Sequence, residues 1–346
     1  MNPYRNQPDR AFWSRAVARE WRPEALFDGA AQLLAPGDRI ASAGSCFAAN
    51  IVPHLEAAGY AYVRTEILDE ADDRFFYGRY SAAYGNIYTA RQFRQLVERC
   101  LGRFTPAEDR WRTEAGVIDP FRPGLPYPAA DDAEFDAVTA AHLRRTRAAF
   151  TEASVLVFTL GLTEAWVSAE DGAVFPVCPG VVAGAFDPSR HRFLNFRAHE
   201  VAQDFRAALS ALREINPALR AILTVSPVPL AATATAEHVY VANFYSKAAL
   251  RAAAEEIVAT TAGVAYFPSL EIVLGLEAAQ SFEPDLRSVS PEAIRRVIDA
   301  LFAHCRLPDP NRPRARDAAE ALSRELVRRE CEESLTDLSS RRPPDS

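Results

Sequence analysis

Four short runs of branched apolar residues, separated by helix-like stretches, constrain this chain most: "RIASAG" from Arg39, "SVLVFTLG" from Ser154, "RAILTVSP" from Arg220 and "GVAYFPS" from Gly263. Hydrophobicity in "VLVF" and "AILTV" is nearly continuous, the pattern of strands buried on both faces. Between the runs, "RAHEVAQDFRAALSALREINP" and "NFYSKAALRAAAEEIVATTAG" carry apolar residues at three- and four-residue spacing and end at Asn216-Pro217 and at Gly263. These read as crossover helices. The expected fold is α/β, three layers in α/β/α order around a central, mostly parallel sheet.

In open sheets of this kind ligands bind beyond the carboxyl ends of the strands. The positions to inspect are therefore Gly44-Ser45-Cys46, Gly161 to Glu164, Ser226-Pro227 and Ser269. Residues 1–312 are expected to form one domain. Two features leave it: a Pro-, Gly- and charge-rich surface excursion near 101–132, and a hairpin near 165–178 turning at Asp171-Gly172. An amphipathic helix is expected over 313–338, with Ala319, Leu322, Leu326 and Val327 at helical spacing, packing on the body or on a second copy of the chain. The polar end, 339–346, reads as a disordered tail.

With 49% hydrophobic and 25% charged residues, a chain of 346 residues has ample material for a core. Its net charge of −7 and the lack of a long basic run argue against nucleic acid as a partner. No apolar stretch reaches bilayer length, and the start "MNPYRNQPDRAFWSRAV" lacks the order of a secretory signal, so the cytoplasm is the expected location. The five cysteines are scattered, which fits free thiols better than a disulfide framework or a zinc knuckle. Cys100 and Cys305 read as small hydrophobes. No metal and no cofactor is expected.

"AGSCFAANI", "YGNIYTARQF", "FTLGLTEAWV", "FPVCPG", "FLNF", "TVSPVPLAAT" and "NFYSKAAL", in that order, resemble the GSCFA family, a relative of the SGNH or GDSL hydrolases. The resemblance spans Asn2 to Phe302. It implies a flavodoxin-like strand order and a nucleophile just after the first strand. On this chain Gly44 takes the place of the glycine in the Gly-Asp-Ser motif, Ser45 that of the aspartate and Cys46 that of the serine. The implied activity is that of an esterase or acyltransferase acting on a small-molecule or glycan-linked acyl substrate, with Ser45 as the fallback nucleophile. The alternative is a ligand- or partner-binding protein on a degenerate SGNH scaffold.

A cysteine at a helix start is favoured as thiolate by free backbone N–H groups and the helix dipole. Pro53 complicates that reading: either the helix is kinked there, or it begins near Val52 and Cys46 lies outside it. The plain alternative is a tight turn with Ser45 as helix cap. Gly85 stands where the relatives place their oxyanion-hole glycine, and Asn86 offers an amide donor beside it. In "LGLTEAW", Thr163 replaces the asparagine and Glu164 the aspartate of the Gly-x-Asn-Asp block, leaving Thr163 a hydroxyl donor and Glu164 an orienting carboxylate.

The relatives' late Asp-x-x-His is missing, because Ser288 occupies the histidine's place after Asp285. The ordinary Ser-His-Asp arrangement is therefore not available. His191 and His238 are the remaining candidate bases, each equally readable as an exposed loop histidine; His54, His142, His199 and His304 fall in helical patterns. Cys178 is a candidate neighbour of Cys46, and Lys247 reads as a solvated helix residue or as a positive charge near an anionic ligand. Ser290 and Pro291 mark a helix start, and Arg287 before them offers a planar donor fork to a carboxylate or phosphate.

Overall fold

The computed structural model describes residues 2–26, 32–66, 80–125 and 128–309, and beyond them 318, 319, 321, 322 and 336. A short helix α1 (Trp13–Ala16) precedes strand β1 (Arg39–Gly44), helix α2 (Cys46–Ala57) and strand β2 (Ala61–Tyr62). Helix α3 (Ala90–Cys100), strands β3 (Trp111–Thr113) and β4 (Gly116–Ile118), helix α4 (Asp132–Glu152) and strand β5 (Val155–Leu160) follow. Then come β6 (Glu164–Ser168), β7 (Val174–Phe175), β8 (His191–Asn195), α5 (Ala198–Ile215) and β9 (Arg220–Val225). The last elements are α6 (Val239–Thr260), β10 (Val264–Tyr266), α7 (Ser269–Leu274) and α8 (Pro291–Ala303).

The main sheet runs β10-β9-β5-β1-β2 with every pairing parallel. In chain order this is the flavodoxin-like sequence 2-1-3-4-5. The chain moves outward from β1 to β2, then crosses back to β5 and builds the other half, so the direction of travel switches between β1 and β5. Side chains along β5 alternate between two cores: Leu156, Phe158 and Leu160 pack with Phe93, Phe150 and Phe205 under α3, α4 and α5, while Val155 and Val157 pack with Leu55, Ile294 and Val297 under α2 and α8. The period of two on a fully buried strand is what makes the three layers.

The four apolar runs are the four longer sheet strands or, for β10, its final edge. Helix α2 begins at Cys46 and continues through Pro53, which decides between the two alternatives left open by that proline. The helix forgoes one backbone bond, from position 53 to Ala49. The hairpin after β5 is part of a separate antiparallel sheet ordered β7-β6-β8. Its turn occupies 169–172 rather than Asp171-Gly172 alone: Ser168 N donates to Ala173 O (2.8 Å), and Gly172 takes φ +73°.

The segment near 101–132 is seated as well as exposed. It carries the β3–β4 hairpin, and its buried Trp111 and Phe121 stack near Phe175. Of the helix expected over 313–338, positions 318, 319, 321 and 322 are helical; the rest of that helix, apart from residue 336, and all of 339–346 lie outside the described residues. Among the described residues no helix is long and apolar enough to cross a membrane.

Candidate functional site

The switch between β1 and β5 brings four distant stretches of chain together at the carboxyl edge of the sheet. Gly44 ends β1 opposite Thr159, with φ +140°. Segment 85–88 lies across both strand ends: Ile87 N donates to Gly44 O (2.8 Å), and Tyr88 O accepts from Gly161 N (3.1 Å) and Leu162 N (2.9 Å). Gly161 is small for a reason, since a Cβ there would stand 2.9 Å from Tyr88 O and 3.0 Å from Ser45 Cβ. Gly85 adopts φ +67°, which lets the segment turn down onto the strands.

Ser45 is the N-cap residue of α2 by position, extended at φ −70° and ψ 174°, yet its side chain makes no cap bond. Its Oγ is buried and has no hydrogen-bond partner among the described residues; the same is true of Thr163 Oγ1 on the β5 side. Two orphan hydroxyls at one edge are costly unless something bonds them. The cap reading of Ser45 is thus replaced by a hydroxyl held in reserve. Cys46 is the first residue of the 12-residue α2, where the first N–H groups of the helix lack intrahelical partners. Asn86 is buried, and the Tyr80 hydroxyl lies within hydrogen-bond distance of both Asn86 Oδ1 (2.8 Å) and Ser45 O (3.1 Å).

Helix α6 closes the other side. Ser246 Oγ accepts from Thr163 N (3.1 Å), and Lys247 Nζ donates to Gly161 O (2.9 Å). Lys247 is 3% exposed, not solvated. Neither Ser246 nor Tyr88 stood out in the sequence, although Asn243, Ser246 and Lys247 are polar residues on the face whose periodicity points inward, and that was the available signal.

Other candidates face elsewhere. Glu164 accepts from the Thr233 hydroxyl (2.7 Å) and from Ala234 N (3.2 Å), so it fastens the loop between β9 and α6. His191 is a buried strand residue rather than an exposed loop one. Its Nδ1 accepts from Asp187 N (3.0 Å), its Nε2 lies 3.1 Å from Glu108 Oε2, and its pairing with Ser168 is at the end of the β6–β8 ladder away from Thr163. His238 is exposed and caps α6, its Nδ1 accepting from Tyr240 N (3.2 Å). The thiol of Cys178 lies 3.6 Å from Pro179 O, and burial pushes its pKa up to about 11. That keeps it protonated near neutrality.

Asp285 and Ser288 close on each other: the Ser288 hydroxyl donates to Asp285 Oδ2 (2.6 Å), and Arg287 N and Ser288 N both donate to Oδ1 (2.9 Å each). Burial raises the Asp285 pKa, but these bonds outweigh it and hold the carboxyl below its ordinary range. Ser290 caps α8 through Ala293 N, with Pro291 at the first position, as the sequence predicts. Phe47, Ala48 and Ile51 of α2 line one small apolar cavity with Ile294, Val297 and Ile298 of α8.

The arrangement brings two buried hydroxyls with no hydrogen-bond partner among the described residues, the start of a helix and a buried lysine to one edge of the sheet, a set suited to holding negative charge. A family model described as the GSCFA family matches residues 39–301, from the start of β1 into the last turn of α8. No curated protein matches the chain.

Proposed function

The chain belongs to the GSCFA family, and we propose that it is an SGNH-like esterase or acyltransferase in which Cys46 attacks an acyl carbon. The observation that carries this reading is the pair of buried hydroxyls, Ser45 Oγ and Thr163 Oγ1, without partners among the described residues, on either side of the switch point where Cys46 begins α2. A thiolate forms the S–C bond while the acyl C–O bond breaks, and the alkoxide leaves with a proton drawn from water. Water or a second hydroxyl then attacks the thioester and frees the thiol. Thr163, Asn86 and the backbone N–H groups at Gly85 and Cys46 are the proposed oxyanion donors. In a panel of p-nitrophenyl esters and thioesters, turnover should vanish in Cys46→Ala and persist in Ser45→Ala. The reverse result moves the nucleophile to Ser45.

A second reading rests on Ser288 Oγ donating to Asp285 Oδ2 at 2.6 Å. A hydroxyl there supplies no general base near neutrality, which favours a binding protein that uses the same crevice for a polar ligand. Any turnover dependent on Cys46 removes this reading.

A further inference from the structure

Gln92, Gln95 and Arg99 stand at i, i+3 and i+7 on α3, hence on one helix face, and all three are buried. They line a second cavity, of about 20 Å³, with Phe121 and Arg122 of the excursion near 101–132 and His142 of α4. The two amides are committed to backbone: Gln92 accepts from Tyr88 N (2.9 Å) and donates to Asn86 O (2.9 Å), and Gln95 accepts from Val174 N (2.8 Å) and donates to Gly172 O (2.8 Å). Guanidinium groups are the strong donors that remain.

Arg99 is 9% exposed, and among the described residues none accepts a hydrogen bond from its guanidinium or forms an ion pair with it. Its contact is an aromatic face, with Cζ 4.3 Å from the centre of the Phe121 ring. The carboxylates nearby have donors of their own. Asp119 takes Arg122 Nε (2.8 Å) and Phe121 N (2.9 Å), Glu66 takes His142 Nδ1 (2.7 Å) and Ala83 N (2.9 Å), and Asp109 takes Arg110. Burial lowers the Arg99 pKa, and the Asp119 charge opposes that shift. A guanidinium taken out of water with no anion against it is destabilising, and the cavity beside it is where one would sit.

We infer that this cavity is an anion site in which Arg99, with Arg122 beside it, binds a chloride-sized halide ion. Size sets the class: about 20 Å³ holds one or two water-sized particles, too little for phosphate or a larger organic acid. Charge agrees, because Asp119 and Glu66 repel a dianion twice as strongly as a monoanion. The partly apolar wall, with Leu96 and Val174 beside Phe121, suits an ion that gives up its hydration readily. An ion there joins the excursion to α3, whose Gln92 also holds Asn86 O and Tyr88 N at the crevice.

The test is thermal unfolding of the full chain at constant ionic strength as sodium gluconate, whose anion is too large for the cavity, is replaced by sodium chloride. The wild-type Tm should rise by about 2 °C or more and level off as the site fills, and Arg99→Met should lose that rise. Equal wild-type Tm values in the two salts overturn the inference, and so does a folded Arg99→Met protein that keeps the rise. Should the Met variant not fold, wild-type crystals grown in sodium bromide decide. An anomalous bromide peak against the Arg99 guanidinium supports the inference; water alone in the cavity overturns it.

Discussion

A Cβ on Gly44 would stand 2.5 Å from the backbone oxygen of Thr159, its partner across the β1–β5 ladder. Gly44 also has φ +140°, outside the range that L side chains adopt readily. Gly44→Ala should therefore cost about 3 kcal/mol or more, from strain and from parting the two central strands. Urea unfolding of the variant against wild type measures it; a loss under 1 kcal/mol, as for an ordinary surface change, would show that the strand end yields.

Thr163 gives a split between stability and activity. Its Oγ1 is buried and has no partner among the described residues, while its N–H is held by Ser246. Thr163→Val should leave stability unchanged or raise it by about 1 kcal/mol, since an unsatisfied hydroxyl is removed. Turnover should fall on the order of 100-fold if the hydroxyl meets the developing oxyanion. Thermal melts and ester kinetics on one preparation check both halves.

His142 predicts acid sensitivity. Its Nδ1 donates to Glu66 Oε2 (2.7 Å) deep under α4, and burial, with the Arg122 charge, lowers its pKa from 6.5 to about 4. The folded state thus stays neutral while an unfolded chain takes up a proton as pH falls from about 6.5. Stability present above that pH is lost progressively down to about 4, on the order of 3 kcal/mol in all. His142→Gln should flatten this part of the stability profile, measured by urea midpoints at pH steps across the window. An unchanged slope would place the proton uptake elsewhere.

The loop before α8 allows a gain-of-function test. Ser288→His restores the Asp-x-x-His spacing in the loop that enters α8, with Asp285 already bonded to position 288. Ester turnover should rise about tenfold or more and acquire a pH limb near 6.5. A variant with wild-type rate and profile would mean that this loop does not reach the reacting bond.

Much of the sheet was legible because its signal is local. Near-continuous apolar runs on β1, β5 and β9 and helical spacing on α5 and α6 are set by neighbouring residues along the chain, and they place Gly44-Ser45-Cys46 and Gly161 to Thr163 at strand ends. The GSCFA motifs were equally legible in order and spacing. Strand β2, two residues long, is too short to leave a periodic trace, and β8 takes its strand form from pairing with β6. The partnership of His142 with Glu66 across 76 positions left no mark in either segment.

The sequence by itself therefore determined the longer strands and helices, the layer order and the residue types available at the carboxyl edge. Only the tertiary structure decided which of those residues meet: segment 85–88 lies across β1 and β5, Lys247 turns inward to Gly161 O, His191 is committed to Glu108, and Ser45 leaves its own helix uncapped. The physical reason is that periodicity reports which face of an element is buried. Which partner covers that face depends on crossovers that bring residues far apart in the chain to the same strand ends.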